Sequence, residues 1–353
     1  MQLIKRGTLP KESKPTKKQQ KNTIIIDPQD ILQKYLTWHD AEGHSRKTQL
    51  DYKKTLRPFY AYLKNEHGIV DLSLLSIDTL RAWLVWLRNT PGPQGNPRSS
   101  KTVESYCRQI MAFLRWCYRE EILDHDLTER LKLPKADKKH IRVFTDEEVK
   151  ALHEACAAGD GGLRPDVRRM LTARNRAVLW FLLDTGIRAS ELCGIRFMDF
   201  DRKHGTVYIM GKGAKERKVL LGQRGSHYLC AYLDYWRGEP ENNDEYLILT
   251  DDGNALTYES ITQLFRRLKK RSGVSDKRVS AHTCRHWYAI RFLLKGGKLF
   301  ALQRHLGHET LEMVKIYAFI TDQDAEDEKR KYSPADDVEI ETRRPQVRGF
   351  RKG

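Results

Sequence analysis

No apolar run in the 353-residue sequence approaches the roughly 18 residues that a membrane-spanning helix needs, so no span is expected. The opening stretch, Met1–Asn22, lacks the apolar region of a secretory signal, and a cytoplasmic, nucleoid-associated protein is expected. Cysteine is sparse and scattered: Cys107, Cys117, Cys156, Cys193, Cys230 and Cys284 include no C-x-x-C pair. That argues against a zinc ribbon or a disulfide framework, and it suits small buried hydrophobes. His282 and His286 have the i, i+4 spacing of a zinc helix but lack its intervening Glu and an evident third ligand. Gly211-Lys212-Gly213 lacks the longer glycine spacing and the following Ser/Thr of a phosphate-binding P-loop. Neither a metal nor a cofactor is therefore expected. Acidic residues are outnumbered, 47 Asp+Glu against 64 Lys+Arg, which leaves a net charge of +17. An excess of that size attracts a polyanion, although many soluble proteins carry a basic surface with no such partner.

What is present is patterned. Residues 1–22 hold seven Lys and Arg against Glu12 alone, with two prolines and few apolar residues. Such a tail is expected to be disordered when free, serving either as a solubilising segment or as an arm along DNA backbone. From Pro28 apolar residues recur at helical spacing: Ile31, Tyr35, Leu36 and Trp38, then Leu56, Phe59 and Leu63 within a helix at 46–65. A third helix starts at Ser76-Ile77-Asp78, and a fourth runs over 101–121 behind Ser99 and Ser100. The aromatic residues of these helices sit at core positions, which favours packing over base stacking. Leu133–His140 reads as an exposed basic linker. Beyond it Thr145-Asp146-Glu147-Glu148 forms a helix start, and helices are predicted at 145–157, 166–185 and 189–195. The period then changes to two in Thr206–Met210 and Lys218–Leu221, a β-hairpin around a glycine-containing basic turn. Helices follow near 224–236, 257–271, 280–294, 298–305 and 310–318.

Four short segments carry the chemistry. Thr185-Gly186-Ile187-Arg188-Ala189-Ser190-Glu191-Leu192 ends one helix at a glycine and puts Arg188 at the start of the next. The hairpin turn can lift Lys212 toward a ligand. His282 and Arg285 lie three apart and share a helix face. Leu306-Gly307-His308 precedes a short helix that presents Tyr317 near its end. Singly, each has a bland reading: a surface arginine, a basic turn, a core histidine, a packed tyrosine. Together they supply five cationic or hydrogen-donating groups and one phenol. That set suits in-line attack on a phosphodiester without a metal, since two guanidiniums can hold the non-bridging oxygens. Flanking cations are expected to favour the phenolate.

In that order and at those separations the six residues resemble the tyrosine recombinase/integrase family. Its arginine motif stands as Thr185–Leu192, its hairpin lysine as Lys212, its His-x-x-Arg as His282–Arg285, and its Leu-Gly-His box with downstream tyrosine as Leu306–His308 and Tyr317. Trp287 departs from the small residue that the family often has there. The resemblance implies a mainly α protein with a small antiparallel sheet (α+β). It also implies a C-shaped clamp on DNA, made of an N-terminal helical core-binding (SAM-like) domain and a catalytic domain. The corresponding organisation is a tail at 1–26, a core-binding domain at 27–132, a linker at 133–143, a catalytic domain at 144–321 and a tail at 322–353 that contacts a neighbouring protomer.

The implied roles are phosphate grip by Arg188 and Arg285, a hydrogen bond to phosphate from His308 and proton transfer assisted by His282. Lys212 would protonate the leaving oxygen, Tyr317 would form a 3′-phosphotyrosyl bond, and Glu191 would support Arg188. Lys101, Arg108, Lys135, Lys138, Lys139, Lys215 and Arg217 are the basic residues expected on DNA. The implied partner is double-stranded DNA, bound by a homo-tetramer on paired sites that is a monomer or dimer when free, with an accessory DNA-bending or directionality protein. The activity expected is site-specific recombination for integration, excision or resolution. A type IB topoisomerase and a non-catalytic DNA-binding relative are the alternatives.

Overall fold

Serine caps set the helix starts of the N-terminal half. In the computed structural model, which describes residues 28–135, 137, 141–157, 162, 164–211, 216–307 and 317, Ser45, Ser76 and Ser99 accept from the backbone N–H groups of Thr48, Thr79 and Thr102. Each thereby satisfies a donor that the first helical turn leaves open. The helices are α1 (Pro28–Ala41), α2 (Arg46–His67), α3 (Ile77–Asn89) and α4 (Ser100–Arg119). Gly68 ends α2 in the left-handed region at φ 63°. Tyr35, Phe59, Trp83 and Phe113 are fully buried among Leu56, Leu80 and Ile110. Tyr35 packs edge-on to Phe113 at 5.2 Å between centroids, and Phe59 edge-on to Trp83 at 5.1 Å. These rings are core, as their spacing predicts. Burial of each contributes on the order of 1.5–3 kcal/mol before entropy is counted.

Two compact units divide at Lys139/His140. The second opens on a reciprocal cap: Thr145 Oγ1 accepts from Glu148 N, and Glu148 Oε2 accepts from Thr145 N. Its helices are α5 (Asp146–Ala155), α6 (Pro165–Thr185), α7 (Ala189–Gly194), α8 (Gln223–Tyr232), α9 (Tyr258–Ser272), α10 (Ala281–Leu294) and α11 (Leu299–Leu306). The sheet is antiparallel in the order β1 (Phe200–Asp201), β2 (Thr206–Met210), β3 (Glu216–Leu220), with Val207 opposite Val219. Val207, Ile209 and Val219 face the core while Tyr208 and Met210 face outward. β3 begins two residues earlier than the apolar alternation suggests, because Glu216 and Arg217 extend the ladder opposite Met210 and Ile209. β1 escapes prediction since two residues carry no period. α6 runs through the middle, its Ala177, Leu179, Phe181 and Leu182 inaccessible to solvent. The helix predicted at 310–318 lies outside the described residues apart from Tyr317.

Candidate active site

α6 ends at Gly186 (φ 62°), and the turn that follows could use no other residue. A Cβ there would meet Cδ1 of Tyr288 at 2.5 Å, and the left-handed backbone would be strained besides. The tight turn places Arg188 at the N-cap of α7. Glu191 then closes a ring of four hydrogen bonds. Its carboxylate accepts from Arg188 N (2.7 Å) and Arg188 Nη1 (2.9 Å), and from Arg217 Nη1 (3.0 Å) and Nη2 (2.8 Å). Burial pushes the Glu191 carboxyl upward, but the bonds from Arg217 and Arg188 outweigh it and hold the group below the usual range. Arg188 keeps its outer face open, 41% exposed, against 7% for the carboxylate side chain that steadies it.

Arg217 differs from the expected DNA contact. Its side chain is only 14% exposed, bound to Glu191 by two parallel bonds and donating from Nε to the His305 carbonyl at 3.1 Å. This arginine therefore joins β3 to the start of α7 and the end of α11, where Gly307 lets the guanidinium approach: a Cβ at 307 would stand 3.1 Å from its Cζ. Sequence gave no sign of this, because the partner carboxylate lies 26 residues away.

Arg285, on α10, is 3% exposed and donates to the carbonyls of Gly186 and Leu306, both at 2.7 Å. Desolvation, then the neighbouring Arg188, lowers its pKa to about 10, so it stays a cation at neutral pH. His282 begins the same helix with its outer edge in solvent; partial burial and the cations Arg285, Arg278 and Arg188 hold it below the usual histidine value. Arg188, His282 and Arg285 open on one cleft of about 470 Å³, whose opposite wall is Tyr258, Thr262 and Arg266 of α9. Those α9 residues were not singled out by motif; α9 announces itself only through a strongly one-sided apolar stripe with a basic remainder.

Tyr317 is 3% exposed, packed against Ala289, Ile290, Leu302 and Leu306. Its phenol is 2.7 Å from Nδ1 of His286, whose spacing from His282 suggests a zinc pair rather than a partner for the tyrosine. Burial raises the Tyr317 pKa and Arg285 opposes it without prevailing. That corrects the expectation of a cation-favoured phenolate: in this arrangement the loss of solvation outweighs the charge, and the phenol stays protonated. His286 is itself lowered to about 4, by burial first and then by His282 and Arg285, so its imidazole is neutral and can accept.

Lys212, Lys215, Lys138, Lys139 and His308 lie outside the described residues. Lys135 is exposed. Lys101 and Arg108 stand on one side of α4 and both bind Glu104, Lys101 at 2.7 Å, with their side chains 69% and 62% exposed.

Comparison with known proteins places these residues in context. The Phage integrase family profile matches residues 142–324, just over half of the chain. The tyrosine recombinase XerD of Mycobacterium tuberculosis is 31% identical over 299 residues, covering 82% of this chain and 93% of that protein. XerD of Oceanobacillus iheyensis is 28% identical over 295 residues, covering 83% and 94%. Among solved structures, XerH site-specific recombinase bound to palindromic difH substrate in a post-cleavage complex aligns with a TM-score of 0.64 at 22% identity, over 86% of this chain and 84% of that one. A lambda integrase dimer bound to a COC′ core site aligns at 0.62 and 18%, over 82% and 97%. At those identities the structural likeness shows a shared fold.

Proposed function

The chain belongs to the Phage integrase family of tyrosine recombinases, enzymes that cleave and rejoin DNA, and from that premise we propose that its cleft is the phosphodiester site and Tyr317 the nucleophile. The observation that carries the assignment is the convergence of Arg188, His282 and Arg285 on one cleft, with the Tyr317 phenol held by the next turn of α10 beside Arg285. Two guanidiniums from different helices, each fixed by protein oxygens, form a preorganised cradle for a phosphoryl group that gains negative charge in the transition state. Attack by Tyr317 Oη forms the Oη–P bond as the P–O5′ bond breaks. A 3′-phosphotyrosyl link results, and it conserves the bond energy for rejoining. Lys212 protonates the departing 5′ oxygen and His308 donates to a non-bridging oxygen; both roles come from the family motif.

Double-stranded DNA is the substrate. Two such proteins in the comparisons are DNA complexes, and the net charge of +17 favours a polyanion. The proposal extends to a homo-tetramer on paired sites, formed from a monomer or dimer, and to an accessory DNA-bending or directionality protein. A nicked suicide duplex tests the core reading, because release of a short 5′ fragment traps the covalent complex. Wild-type protein should accumulate a DNA-linked species resistant to denaturation. If Tyr317→Phe yields as much of it, the nucleophile lies elsewhere. Relaxation of supercoiled DNA lacking a site would point to the topoisomerase alternative.

A further inference from the structure

Cleavage by a phenol needs a place for the phenol proton. We infer that His286 accepts that proton: its Nδ1 lies 2.7 Å from Tyr317 Oη, within the hydrogen-bond reach that a general base requires. The inference rests on Tyr317 being the nucleophile. Among the described residues, the other groups near the phenol are unsuited. Arg285, which faces it from the same helix, is a cation with no lone pair to offer. Arg188 is likewise a cation at the cleft, and Glu191, the nearest carboxylate in the network, is fully engaged by Arg188 and Arg217. His305 of α11 is turned to the Tyr288 hydroxyl at 2.9 Å. His282 lines the cleft one helical turn before His286, its ring centroid 4.2 Å from that of His286 at 72°. The two imidazoles thus divide the work by direction, His282 toward the phosphate cleft and His286 toward the nucleophile.

The proposed role requires one tautomer. With Nδ1 accepting, the ring hydrogen of neutral His286 sits on Nε2. In the forward step the Tyr317 O–H bond breaks, its proton passes to His286 Nδ1, and Oη bonds phosphorus. The P–O5′ electrons leave with the 5′ oxygen, which takes a separate proton from the general acid. In rejoining, the 5′ hydroxyl gives its proton back to the general acid and bonds phosphorus as the Oη–P bond breaks, and imidazolium His286 returns its proton to the departing phenolate. Burial leaves the proton on Tyr317 and His286 neutral before attack, so Nδ1 is free of a proton when the phosphate arrives.

Asparagine places an amide oxygen near the position of Nδ1 and can accept a hydrogen bond, but it cannot take a proton. His286→Asn therefore separates positioning from proton transfer, and His286→Phe removes both. The measurement is the single-turnover rate of covalent adduct formation on a nicked duplex at saturating protein, from pH 6 to 9.5, set beside gel-shift affinity and thermal unfolding to establish that the variants fold and bind. The expected result is normal DNA binding with a rate lowered about 100-fold or more in His286→Asn, as for loss of a general base. The variant's rate should climb with pH as the phenol ionises by itself, while the wild-type profile stays flatter. A 5′-bridging phosphorothiolate, whose sulfur leaves without a proton, should restore Lys212→Ala but leave His286→Asn slow. A His286→Asn rate within about threefold of wild type, or full restoration by the phosphorothiolate, overturns the assignment. Failure of wild-type protein to form any Tyr317 adduct would instead overturn the recombinase reading beneath it.

Discussion

Arg217→Met tests the central tie of the site. The guanidinium sits 14% exposed and the Glu191 side chain 7%, so the pair is largely out of water. Removing one partner of a buried pair costs about 3–5 kcal/mol when the other charge is left uncompensated. Here Glu191 keeps its two bonds from Arg188, at 2.7 and 2.9 Å, so the loss should fall at or below that range's lower limit, roughly 2–3 kcal/mol. The His305 carbonyl loses its donor as well. Stability should be measured by urea unfolding and catalysis by adduct formation on the nicked duplex. Glu191→Leu and the double variant complete a cycle, and the coupling energy of a shared network should be on the order of 1–3 kcal/mol. Because Arg217 links β3, α7 and α11, its loss should also slow adduct formation by more than it weakens DNA binding. Unfolding stability within about 0.5 kcal/mol of wild type, with an unchanged cleavage rate, would show that the Arg217–Glu191 tie does not hold the site together.

Further predictions follow from single features. Glu191 is depressed in the folded state, so it contributes stability that is fully present above its ordinary value of 4.5 and is lost as pH falls through the lower folded value. Arg217→Met should flatten that acid-side decline in a pH series of unfolding midpoints; an unaltered decline would mean that other carboxylates set it. Gly186→Ala should cost about 1–2 kcal/mol from the left-handed backbone alone, and more from the clash with Tyr288, with unfolding as the check. Deleting residues 1–22 should weaken DNA binding and flatten its dependence on salt, the log–log slope changing by up to about 5 if all six net charges lie on phosphate. Unchanged affinity at low salt would reduce the tail to a solubilising role.

The helices were legible because each carries its own instructions. Ser45, Ser76, Ser99 and Thr145 are local caps, and the stripes through Phe59, Trp83 and Ile110 repeat at helical spacing. Arg188, His282 and Arg285 were legible for a similar reason: each lies in a short motif whose spacing fixes its place on a turn or a helix face. The pairings that complete the site were not, since they join segments distant in the chain. Arg217 meets a carboxylate 26 residues earlier, and His286 meets a phenol 31 residues later. A basic residue in a basic hairpin reads as surface until its partner is known. The sign of the Tyr317 shift is not legible because cations can be counted in a sequence while desolvation cannot, and desolvation is the larger effect here.

Tyr317 as nucleophile is tested most directly by locating the covalent bond itself. Adduct trapped on a nicked duplex should be digested with protease and the nucleotide-bearing peptide sequenced by mass spectrometry. A 3′-phosphate ester on Tyr317 is expected, with a free 5′ hydroxyl on the released strand. A 5′-linked adduct, or one carried by any other residue, would contradict it.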